Sequence, residues 1–214
     1  MNTDQYVSIL GSRYQQPISD LLEKWSKKNR HPSNAVQSPY FECGYATSII
    51  LLLAAMFESY VVRVRYLQRK TIPSKHRNAI AVMLYIYPEF RKRKSLTEVF
   101  VIRDLVFHNH LWELEYVAES NPSMVLKESE KHPDFGDAKY RDRVNSKTKR
   151  TKALGLSVIP TRVNMIDARK VFTTVVGAMK FLENQDRRQC NISKARVRHN
   201  NKSVLFQDLI GAFK

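Results

Sequence analysis

An all-α fold is predicted by three features of this chain. Apolar residues recur at helical spacing through most of its length, no Gly or Pro interrupts its two longest apolar stretches, and its 43% hydrophobic and 26% charged residues are the make-up of a globular protein. At roughly 100–200 residues per domain, 214 residues support one domain with additional segments. The helical domain is read as 1–184 and a basic C-terminal extension as 185–214.

Each element follows from its local pattern. Up to Asn29, Tyr6, Ile9, Leu10 and Tyr14 and then Ile18, Leu21, Leu22 and Trp25 keep helical spacing across Pro17, which fits two helices or one kinked helix. His31 to Asn34 and Ser38-Pro39 mark a loop. From Tyr45 to Leu67 the spacing predicts a long core helix. Its most apolar run, Ile49 to Phe57, ends at Glu58, short of the ~20 residues needed to span a bilayer. Glu58 itself is read as the first exposed turn, with a place in a cleft as the alternative. Ser74 is expected to cap a shorter helix through Ala79 and Ile86 that stops before Pro88. Ser95-Leu96-Thr97-Glu98 matches a capping box, and a helix of about 95–119 is expected to follow, apolar nearly all round. Residues 127–152, charged and almost without aliphatics, read as a mobile insertion, and 153–165 as extended or a short hairpin. Asp167 is expected to cap a last core helix through Val171, Phe172, Val175, Met179 and Leu182, and Val204 to Ile210 a short terminal helix.

The charge narrows the partners. With 36 Lys and Arg against 20 Asp and Glu, the net charge of +16 makes polyanions the first class to consider, because each cation beside a phosphate releases condensed counterions. The excess is clustered: Arg63, Arg65 and Arg69 lie in a stretch without acids, and Arg91, Lys92, Arg93 and Lys94 precede the fourth helix directly. Both groups are candidate RNA contacts, the first with Tyr60 and Tyr66 interleaved for base stacking. A plain solvated face is the other reading of each. Two distant cysteines, Cys43 and Cys190, argue against a disulfide scaffold or a Cys-ligated zinc site. The N-terminus lacks an export pattern, so a cytoplasmic protein that meets no membrane is expected. Gly-rich phosphate loops, nucleophile elbows and His-Glu-x-x-His are all missing.

One string stands out. Arg103-Asp104-Leu105-Val106-Phe107-His108-Asn109-His110 puts five polar residues into an otherwise apolar helix, a conflict that natural sequences accept mainly at sites. On the expected helix Asp104 and His108 are four apart, share a face and can hydrogen-bond. Arg103 and His108 then lie about 140° apart around the axis, so that distortion or a second chain has to bring them together. Satisfied interior or interface histidines are the plainer reading of His108 and His110. A metal on the two is not expected, since residues two apart on a helix diverge and no further ligands complete a site.

This string resembles the signature of the HEPN (higher eukaryote and prokaryote nucleotide-binding) superfamily: an Arg, four to six residues, then a His, usually with a polar residue after the Arg. Arg103 to His108 fits the four-spaced form and Arg103 to His110 the six-spaced one. The resemblance spans about residues 45–184 and is concentrated at 98–117. It implies a bundle of four or five core helices that dimerises around the motif helices. It also implies a metal-independent endoribonuclease without cofactor, often a toxin or phage-defence effector, with an antitoxin or regulator as a possible partner. In that scheme a 2′-hydroxyl attacks the adjacent phosphate, leaving 2′,3′-cyclic phosphate and 5′-hydroxyl ends. His108, or His110, would serve as general acid or base, Arg103 would hold the phosphate and Asp104 would orient a partner. Where toxin members silenced by nucleotidyltransferase antitoxins carry Tyr two residues after the His, this chain has His110. The competing expectation is a non-catalytic helical module that binds RNA or a protein, with Arg103 and Asp104 in interface ion pairs; a DNA-binding regulator is a third, without a clear helix-turn-helix to support it.

Overall fold

The computed structural model describes residues 9–28, 40–68, 72–73, 76, 78–107, 114–117, 123–126 and 138–213. The chain is mostly helical. Its axis is α2 (Tyr40–Gln68), against which α1 (Gln15–Ser26), α3 (Ala79–Ile86), α4 (Arg93–Phe107) and α6 (Met165–Gln185) all pack. Ala46, Ile49, Ile50, Leu53, Met56, Phe57, Tyr60 and Val64 are buried along one broad face of α2, while Val62 and Tyr66 stay exposed on the other. By length and composition α2 is apolar enough to cross a membrane, more than its nine-residue central run indicates, and half of its most apolar window is buried inside the protein.

The entry to α1 is a 3-10 turn, Gly11–Tyr14, that runs straight into the helix. Pro17 falls in the first turn of α1, where a backbone N–H has no intrahelical partner, so it neither kinks nor divides the segment. Gly11 is needed here for close approach: a Cβ would stand 2.9 Å from the Tyr60 ring and 3.0 Å from the Met56 carbonyl oxygen, while the Gly11 N–H donates to Ser59 Oγ.

Several helix starts differ from expectation. The cap of α3 is Asn78, whose side chain accepts from the Ala81 N–H; Ser74 lies outside the described residues. α4 begins at Arg93, so Ser95 sits inside the helix and the capping box does not form. The Glu98 carboxylate, fully buried, accepts instead from the Ala153 and Leu154 N–H groups at 2.8 and 2.7 Å. For α6 the cap is Asn164, which accepts from the Ile166 and Asp167 N–H groups, and Asp167 completes the box by accepting from the Asn164 N–H. Replacing Asn164 by Ala is expected to cost about 1 kcal/mol, and, for a chain of this size, to lower the melting temperature by roughly 2–4 °C in calorimetry.

Strands appear where helix or irregular chain was expected. The helix of 95–119 is corrected: α4 is described to Phe107, and Leu114–Val117 forms β1, paired antiparallel with β2 (Ser123–Leu126) in the register Leu114↔Leu126. Glu113-Leu114-Glu115-Tyr116 alternates with period two in the sequence and is followed by Asn121-Pro122, a strand and turn pattern in a stretch otherwise without Gly or Pro. The insertion is also corrected in part. Its 138–152 portion is ordered as α5 (Ala138–Arg143), which packs on α4, and a tight hairpin of β3 (Val144–Asn145) and β4 (Arg150–Thr151); 127–137 lie outside the described residues. Asn145 Oδ1 accepts from the Lys147 and Thr148 N–H groups inside that hairpin.

The basic tail holds a third hairpin, β5 (Arg196–His199) and β6 (Lys202–Leu205), joined by Asn200 and Asn201 at φ of 48° and 62°. Two successive residues at positive φ make the two-residue turn that matches strand twist. The hairpin is tied to α1 by Ser19 Oγ donating to the Arg198 carbonyl and by the Asn200 N–H donating to Glu23. The expected terminal helix is a 3-10 turn, Phe206–Ala212, with Phe206 and Phe213 packed on Phe172 of α6.

Candidate functional site

Positions i, i+4, i+7 and i+10 of α4 share one face, and here they are Arg93, Thr97, Phe100 and Arg103. That face lines an open cleft of about 340 Å³, closed on one side by Ala81 and Leu84 of α3 and on another by Asp142 and Arg143 of α5. Three guanidinium groups from two helices therefore meet one lining carboxylate.

Arg103 is held from three directions. Its Nη2 donates to Glu58 Oε1 of α2 at 3.2 Å, its Nε lies 2.8 Å from Asp104 Oδ1, and its guanidinium stacks over the Phe100 ring at 5.1 Å. The Nε contact is an ion pair without the alignment of a hydrogen bond, so this buried N–H still has no aligned acceptor. The arrangement fixes the plane of the guanidinium, the condition for bidentate recognition of a phosphate or carboxylate. Glu58 and Asp104 also balance the charge of Arg103, so any attraction for a polyanion has to come from Arg93, Arg143 and the exposed Arg91 and Lys94 beside the mouth of α4.

The sequence candidates fare unequally. Arg103, Asp104 and Arg93 come together. His108 and His110 lie outside the described residues. Lys92 is exposed, but its ammonium lies toward α6, 3.8 Å from where a Cβ on Gly177 would be. Arg65 is exposed on α2, and Arg69 is outside the described residues. Arg63 is five residues from Glu58, about 140° around α2, and donates from Nε to the Arg188 carbonyl, so it does not join the Arg103 cleft.

Three contributors were missed. Glu58 was weighed as a cleft residue and set aside; its isolation at the end of an apolar run was the available signal. Asp142 and Arg143 sat unmarked in the charged 139–152 stretch, where only tertiary packing of α5 on α4 selects them. No protein-family model, curated protein or solved structure matches this chain.

Proposed function

We propose that this chain is a metal-independent endoribonuclease of HEPN type, acting as a homodimer in the cytoplasm as a toxin or phage-defence effector under the control of an antitoxin or trigger. The observation that carries the reading is Arg103, fixed between Glu58 and Asp104 and opening on a cleft that Arg93 and Arg143 also line. In this reading Arg103 neutralises the charge that builds on the phosphate as the neighbouring 2′-hydroxyl attacks it. His108 takes or returns the proton, a task suited to imidazole, with His110 as its counterpart. Arg93 and Arg143 hold flanking phosphates, positioning without chemistry.

Dimerisation is supported by apolar residues left on the same stripes. Val62 and Tyr66 follow Glu58 by one and two turns on α2, Phe107 follows Arg103 by one turn on α4, and all three are more than half exposed. The deciding experiment is cleavage of a mixed RNA pool in EDTA by the wild type and by the His108→Ala, His110→Ala double variant. Cyclic phosphate ends that vanish in the folded double variant support the nuclease; unchanged cleavage in that variant removes it. If Arg143 only positions, Arg143→Ala is expected to raise KM about tenfold with kcat unchanged, the signature of binding that is equal in ground and transition states.

A second reading rests on the same cluster. Arg103 is already paired with two carboxylates, which is also how a structural ion-pair network in a non-catalytic RNA- or protein-binding module looks. That module predicts RNA binding or partner capture without product, and loss of the dimer on Arg103→Ala.

A further inference from the structure

The cleft beside α4 holds one group that the proposed phosphate chemistry leaves unused. Asp142 lines it from α5 together with Arg143, and Arg93, Thr97, Phe100 and Arg103 line it from α4. Asp142 is exposed, and no hydrogen bond or ion pair ties its carboxylate to another described residue, although three guanidinium groups line the same space. A carboxylate placed there repels the phosphates that the arginines attract. It favours a ligand only if that ligand brings hydrogen-bond donors to it.

The other side-chain oxygens of the lining are engaged. Asn78 Oδ1 accepts from the Ala81 N–H as the cap of α3, and Thr97 Oγ1 donates to the Arg93 carbonyl. Among the described lining residues the Asp142 carboxylate is therefore the one charged acceptor, with two oxygens in a plane. Its helix is anchored where it ends: the Arg143 carbonyl accepts from the Lys152 N–H at 2.8 Å, and Val144 pairs with Thr151. From α3, the half-buried Ala81 and Leu84 add an apolar wall on which the flat face of a base can rest. About 340 Å³ lies at the low end of the roughly 300–1,000 Å³ of small-molecule sites, room for one nucleotide.

Resting on the reading of this cleft as an RNA site, we infer that Asp142 selects guanine at the nucleotide that occupies it, beside the phosphates held by Arg93 and Arg143. Guanine turns two adjacent donors, N1–H and the N2 amine, to one side, and the two oxygens of a carboxylate accept from them side by side. Adenine and cytosine offer one amino donor next to a ring nitrogen acceptor, and uracil offers one N–H between two carbonyls. Each of these sets a lone pair against the carboxylate. Such edges are open only in an unpaired base, so the RNA is single-stranded at this nucleotide.

The test is fluorescence anisotropy of the full chain with oligouridylates methylated at every 2′-oxygen, so that cleavage cannot intervene, and carrying guanosine, inosine or adenosine at one central position. The guanosine oligonucleotide is expected to bind about tenfold tighter than the adenosine one. Inosine, which keeps N1–H and lacks the N2 amine, should fall between them. In Asp142→Asn the preference for guanosine should shrink to within about twofold, while the adenosine oligonucleotide binds as well as before or better, a repelling charge having gone; Arg143→Ala should weaken all three alike. Because Asp142 is exposed, its variant is expected to melt as the wild type does. Equal binding of guanosine and adenosine by the wild type, no saturable binding of any of the three, or a guanosine preference that survives Asp142→Asn overturns the inference. Cleavage of the unmethylated oligonucleotides keeps the two readings apart: guanine-selective binding without cleavage sustains the subsite and removes the nuclease, and cleavage without guanine preference in binding does the reverse.

Discussion

Arg103→Ala is expected to lower RNA cleavage at saturating substrate by about 10²–10³, the scale set by removing one preorganised donor from a developing oxyanion. The fold should survive. Arg103 and its two carboxylates are each about a third exposed, at 29%, 37% and 35%, and ion pairs of that exposure are worth only ~0–1 kcal/mol. The melting temperature should therefore stay close to that of the wild type while kcat falls, a split that a purely structural network cannot produce. Arg103→Lys keeps the charge but loses the planar fork that Glu58 and Asp104 hold in place, so it should recover no more than a small part of the rate. Cleavage by Arg103→Ala within threefold of the wild type would remove Arg103 from the chemistry and leave the binding module as the better reading.

What the sequence conveyed of this arrangement depended on the range of the interaction. Helical spacing placed α2, α6 and α4 as far as Phe107, because burial on one core imposes that period directly. Turn chemistry was legible but outweighed: Asn200-Asn201 between alternating segments is a hairpin signal, hidden by six basic residues around it. Ser95 to Glu98 matched a cap by local rule, and yet the backbone amides of Ala153 and Leu154 claim the Glu98 carboxylate. No local pattern reports such long-range competition. Of the site, Arg103 and Asp104 declared themselves as polar residues in an apolar helix. Glu58, Asp142 and Arg143 did not, since each becomes part of the cleft only through the packing of α2 and α5 on α4.

Glu98→Ala is expected to be the most damaging single change to stability outside the apolar core. Glu98 is fully buried, and both of its oxygens accept from backbone N–H groups of the turn that follows β4. Truncation leaves two amides without acceptors at about 1–3 kcal/mol each, reduced where the partly exposed turn lets water reach Ala153. A total of about 2–4 kcal/mol follows, and at ~2–4 °C per kcal/mol for a chain of this length the melting temperature should fall by roughly 5–15 °C. Glu98→Gln keeps one acceptor but turns an amide donor toward the other N–H, so about half of that loss is expected. The damage should be local before it is global: the 138–157 segment is bound to α4 through this carboxylate, so proteolysis there should accelerate first. Because α5 carries Arg143 into the cleft, Glu98→Gln should, on the proposed nuclease reading, also raise KM for RNA while leaving kcat nearly unchanged. A Glu98→Ala protein that melts within about 1 °C of the wild type would mean that the two N–H groups find water at no cost. The charged segment would then be a dispensable cover on α4, and the contribution of Arg143 to the cleft would go with it.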